Sequence, residues 1–113
     1  MPSFRASVAI DATRPGFPPE AVLDAARAGV ATECHVEDAF VDVLALSRRA
    51  GPPRVAIRFL VPATNDAEED AAAWQAGRAL ATKVGTVASW SDLRVHRRSR
   101  GRWVRLDGPA HTP

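Results

Sequence analysis

One cysteine, Cys34, in 113 residues excludes an internal disulfide and fits a reducing cytosol. No apolar run approaches the roughly 18–20 residues that a membrane span needs. The N-terminus has no basic stretch followed by an apolar one, so a cytoplasmic location is expected. The seven glycines are scattered at 16, 29, 51, 77, 85, 101 and 108, so neither a Walker loop nor a dinucleotide fingerprint can be assembled from them. H-E-x-x-H and C-x-x-C are both missing, and no cofactor or metal is expected. Lysine is nearly absent as well. Of the 15 basic residues 14 are arginine, and beside 22 alanines this looks like the codon bias of a GC-rich genome rather than a demand for guanidinium chemistry.

What the chain does have is enough apolar sequence for one core, with 46% hydrophobic and 25% charged residues. A single α+β domain over 1–107 is expected, with 108–113 as a loose C-terminal tail. No short-period repeat, low-complexity tract or linker divides it, and the halves 1–47 and 53–97 are weakly similar, each strand-helix-strand. Charge is unevenly spread. Residues 86–113 carry six basic and two acidic side chains, whereas residues 1–85 carry nine basic and eleven acidic ones. Six arginines, Arg94, Arg97, Arg98, Arg100, Arg102 and Arg105, fall within twelve residues around a Ser99–Gly101 turn. An anionic partner for this end of the chain is the natural implication.

Residues 4–10 alternate, with Phe4, Ala6, Val8 and Ile10 on one side and Arg5, Ser7 and Ala9 on the other, which predicts a half-buried strand. The prolines and glycine between Thr13 and Pro19 break the chain, and a helix follows to about Val30, with Gly29 marking its end. Residues 36–50 suit both a strand and a helix. The crowding of Phe, Val and Leu over 40–46 favours the strand. Val55, Ile57, Phe59 and Val61 predict another strand, stopped by Pro62. Asn65 or Asp66 caps a second helix, and Glu68, Glu69 and Asp70 complement its dipole. Its expected buried stripe is Ala73, Trp74, Gly77, Leu80, Ala81 and Val84. Leu93 and Val95 mark a strand, and 103–106 a final one. The order β-α-β-β-α-β plus a terminal strand predicts a ferredoxin-like sandwich: a four-stranded antiparallel sheet, strand order 4-1-3-2, two helices on one face, and an added C-terminal hairpin.

Candidates for chemistry are few. Adjacent strand residues point to opposite faces, so Cys34 and His35 cannot act as a nucleophile and base pair; they are read as half-buried and surface residues. Asp66, Glu68, Glu69 and Asp70 are explained by the helix start, and Asp11 by a turn. Trp74 is assigned to the core. Trp103 either lies open beside arginines as a stacking anchor or covers an edge of the core.

In the expected topology Arg5, Arg58, Arg94 and His96 point away from the helices on neighbouring strands. With Arg97, Arg98, Arg100, Arg102, Trp103 and Arg105 of the hairpin they form a basic candidate surface. RNA-recognition motifs share the expected fold, but the strand 54–61 turns Ala56, Arg58 and Leu60 outward where that family presents aromatic rings. The function expected is therefore a non-catalytic module that engages a protein partner, another copy of itself or a different chain, through the open face and hairpin. Two alternatives stand beside it: sequence-nonspecific nucleic-acid binding by the same surface, and a small-ligand pocket or enzyme of the dimeric α/β-barrel type.

Overall fold

The structure, a computed structural model, describes residues 1–42 and 52–108. Its elements run β1 (Ser3–Thr13), α1 (Glu20–Ala31), β2 (His35–Asp42), β3 (Arg54–Leu60), α2 (Asp66–Val84), β4 (Ala88–Ser99) and β5 (Arg102–Arg105). The five strands form one sheet in the order β2-β3-β1-β4-β5, with every neighbouring pair antiparallel. The ambiguous segment enters as strand from His35. The part of that expectation on residues 43–50 lies outside the described residues, as do Gly51 and the tail from Pro109 to Pro113.

Alternation along the strands sends one face into the core. Phe4, Ala6, Val8, Val55, Ile57, Phe59 and Val95 are buried on it, and the Phe4 and Phe59 rings stack at 6.1 Å. Against this face lie Val22, Ala26 and Val30 of α1 and Ala73, Ala76, Leu80, Ala81 and Val84 of α2. Most of the α2 contacts are small, which lets the helix sit close to the sheet: a Cβ on Gly77 would stand 3.0 Å from Val95 Cγ2. Trp74 is half-buried at the margin of this cluster.

The helix ends follow elementary capping. Asn65 Oδ1 accepts the Glu68 N–H at 2.9 Å, satisfying an otherwise orphan donor of α2. Gly29 does something other than end α1. The helix continues to Ala31, and Gly29 is the point where α1 and α2 touch, because a Cβ there would lie 2.6 Å from Ala79 O. The β4–β5 turn needs two residues with positive φ, and Arg100 (50°) and Gly101 (78°) supply them.

Candidate functional site

Neither α1 nor α2 covers the other face of the sheet, and the register states which side chains share it, since residues paired across strands point the same way. One row runs Arg58, Arg5, His96, Arg105 across β3, β1, β4 and β5. The next runs Phe40, Ala56, Ser7, Arg94 across β2, β3, β1 and β4. Beyond it Arg54 pairs with Ala9, and on the far side Arg98 pairs with Trp103. The face is graded in charge. Glu37 and Asp38 lie toward the β2 edge, and arginines dominate from β3 to β5.

Trp103 resolves the two options left for it by the sequence: it lies on the open face with its ring beneath three guanidiniums. Arg5 stands 4.5 Å from the ring centroid, Arg98 5.2 Å and Arg58 5.5 Å. Arg5 is also 5.3 Å from the Phe40 ring, so its guanidinium rests between two aromatics. Val104, on the opposite side of β5, is 47% exposed.

Between the rows lies an open-topped cavity of about 200 Å³. Its floor is made of the two smallest side chains, Ser7 and Ala56, both buried. Arg5, Arg54, Arg94 and His96 wall it together with Phe40, and among the described residues no carboxylate lines it. Arg54 is firmly fastened. It donates from Nη2 to Ser7 O (3.2 Å), Ser7 Oγ (3.0 Å) and Asp92 O (2.6 Å), and from Nη1 to Asp92 Oδ2 (3.0 Å). Asp92 also pairs with Arg94 at 2.6 Å. Its position comes from a bulge in which Asp92 and Leu93 face the single residue Val8, with Asp92 at φ 57°.

The charges act on one another. Burial pushes the Asp92 carboxyl up, but the Arg94 hydrogen bond and the Arg94 and Arg54 charges outweigh it and hold the group below its usual range. Burial, and then the Arg94 charge, lower Arg54, with Asp92 opposing. Burial also lowers His96, and Arg5, Arg105, Arg94 and Arg54 lower it further. The imidazole is therefore held neutral at a pH where a free histidine is partly charged. Among the described residues, neither Arg94 Nε nor His96 Nδ1, both buried atoms, has a hydrogen-bond partner.

The ten candidates of the sequence reading divide in three. Arg5, Arg58, Arg94, His96, Arg98, Trp103 and Arg105 come together on the open face. Arg100 and Arg102 are exposed at the hairpin end. Arg97 turns to the helix face, where it covers the Phe4 ring and bonds Glu69 (2.6 Å), Asp70 (3.0 Å) and Asp66 (3.3 Å). Glu69, 7% exposed, also accepts the Thr64 N–H. The Arg97 hydrogen bond and then the Thr64 N–H hold its carboxyl low against the effect of burial. Arg54, Ser7, Phe40 and Asp92 belong to the site and were not among the candidates. Strand parity alone places Arg54 beside Arg58.

The remaining chemistry is sparse. Burial and the Glu33 charge push the Cys34 thiol up, which suppresses its nucleophilic form. Among the described residues no group of three or more His, Cys, Asp or Glu side chains converges on a metal position. No described helix is long and apolar enough to cross a membrane. No protein-family model, curated protein or solved structure matches this chain.

Proposed function

We propose that this chain is a ferredoxin-like binding module that presents its uncovered sheet face to an acidic protein surface. The strand order supports the fold reading: from β4 the strands run β4-β1-β3-β2, with β5 added outside β4. The row Arg58, Arg5, His96, Arg105 is the observation that carries the functional reading. Like charges directly opposite one another across strands are destabilising. Glu37 already pairs with Arg58 at 3.2 Å and His96 is held neutral, so the row's gain from an external anion lies toward its β5 end. Adjacent strands lie about 4.8 Å apart, so the row spans about 14 Å, a width suited to two or three carboxylates. Arginine forks match carboxylates bidentately, and the aromatic rings beneath Arg5, Arg58 and Arg98 hold their planes, with Arg58 Nε donating to Ser3 Oγ at 3.1 Å.

Nucleic acid is the second reading, and Trp103 weighs against it. A base needs an open ring to stack on, and this ring already carries three guanidiniums. Two copies apposed through β1, β4 and β5 would set like charges together, which weighs against that homodimer and favours a different molecule as partner.

Fluorescence anisotropy with a labelled 20-residue poly-glutamate and a labelled oligothymidylate separates these cases. The expected result is tighter binding of poly-glutamate, weakened by salt and by the double variant R5Q/R58Q, and unaffected by R78Q on the exposed side of α2. Preference for the oligothymidylate would move the assignment to nucleic acid, and no binding of either at low salt would remove the surface reading.

A further inference from the structure

The cavity over Ser7 and Ala56 is more particular than a basic surface requires. Its basic walls come from three strands, Arg5 of β1, Arg54 of β3, and Arg94 and His96 of β4, and among the described residues no acid lines it. At roughly 30 Å³ per water it has room for about half a dozen waters or one compact polyatomic ion. Its donors are already in place. Arg54 is fastened by Ser7 and Asp92, Arg94 by Asp92, and Arg5 between the rings of Phe40 and Trp103. Little side-chain freedom remains to be lost on binding, which favours affinity from few contacts. Asp92 orients two of the arginines from outside the cavity, so the lining keeps its positive character.

Arg94 Nε–H can only donate, and His96 Nδ1 lies on the same strand; both atoms are buried and, among the described residues, have no hydrogen-bond partner. Donors arriving from several walls suit a tetrahedral ion better than a planar carboxylate, whose two oxygens lie in one plane. Asp92 already offsets part of the charge of Arg54 and Arg94, and a phosphate monoester, near two negative charges at neutral pH, is drawn to the basic lining more strongly than a single carboxylate is.

We propose that this cavity is a phosphate-group site, in which Arg5, Arg54, Arg94 and His96 hold a tetrahedral oxyanion over the Ser7–Ala56 floor. The proposal rests on the reading of the open face as the binding surface, and makes one phosphate its focal contact. That phosphate comes either from a phosphorylated side chain on the acidic partner or from a free small molecule.

His96 is the reporter. The charged groups facing it are Arg5 of β1, Arg54 of β3, Arg94 of β4 and Arg105 of β5, with Asp92 behind Arg54 and Arg94. Its imidazole is titrated by proton NMR in chloride and in inorganic phosphate at equal ionic strength, with H96Q identifying the signal. The expected result is an upward shift of about one pH unit in phosphate, the size a nearby opposite charge produces. R94Q should weaken phosphate binding about tenfold. R94K, which keeps the charge and loses the fork, should fall between, and R78Q should match the parent chain. Urea midpoints of each variant separate loss of binding from loss of folding. A phosphoserine peptide is then compared with its unphosphorylated parent and with inorganic phosphate. A phosphopeptide at least tenfold tighter than both supports a modified partner as the source, and inorganic phosphate binding as tightly supports a small molecule. An identical His96 titration in the two salts, with poly-glutamate still bound, overturns the phosphate site and leaves the surface reading standing. Identical titrations with no poly-glutamate binding overturn both.

Discussion

Replacing Gly29 with alanine should destabilise the protein, although the same change in a free helix would stabilise it. In the structure the added Cβ meets Ala79 O at 2.6 Å, Leu80 Cα at 2.8 Å and Ala79 C at 3.0 Å, where ordinary contact begins at 3.4 Å. All three are backbone atoms of α2, so no rotamer change relieves them. The helices must part by about 0.8 Å, the difference between 3.4 and 2.6 Å. Overpacking of this kind costs typically 1–3 kcal/mol, and an obstacle of backbone atoms belongs at the upper end, about 3 kcal/mol. Helix propensity returns up to about 1 kcal/mol. The net loss is about 2 kcal/mol, which for a domain of this size lowers Tm by roughly 8 °C. Thermal unfolding followed by circular dichroism measures it. Ala28→Gly, on the exposed side of the same helix, isolates the propensity term and should cost no more than about 1 kcal/mol. A G29A protein that melts at or above the parent temperature would refute the close helix contact.

Two further outcomes follow from the ion pairs and the histidine. R97Q should lower the urea midpoint more than R98Q or R100Q, because of these three Arg97 alone bonds the carboxylates at the start of α2, and its removal leaves the buried Glu69 without its ion-pair partner. Stability should also fall as the pH drops below the ordinary imidazole value of 6.5, since the unfolded chain takes up a proton there while the lowered folded pKa keeps His96 neutral. H96Q should flatten that part of the pH profile in urea titrations between pH 7.5 and 5, and an unchanged profile would contradict the depressed value. Asp92 and Glu69, both held low, lose their contributions only at more acid pH, as the unfolded carboxyls begin to protonate first.

Much of the sheet was legible from a period of two. Once Phe4, Ala6 and Val8 are turned inward, Arg5 and Ser7 must turn outward, and the same parity sets Arg58, Arg94 and His96 on the open side. Arg97 shows where proximity in sequence misleads. It was grouped with the hairpin arginines, yet Val95 points inward and two residues on so does Arg97. Its partners lie 27 to 31 residues away on α2, which parity cannot reveal. Arg54 was within reach of the same rule. Asp92 was not, because its place depends on a bulge that interrupts the alternation. Gly29 carries two meanings that one sequence cannot separate, the end of a helix and the close approach of another. Only the position of Ala79 decides between them.

The central claim concerns one face of one sheet, and backbone amide NMR during a poly-glutamate titration tests it most directly. Shifts should gather on the strands around Arg58, Arg5, His96 and Arg105, extend to Arg94 and Trp103, and leave α1 and α2 unmoved. Shifts gathered on the helices, or spread evenly over the basic residues of both faces, would contradict the assignment of binding to the uncovered face.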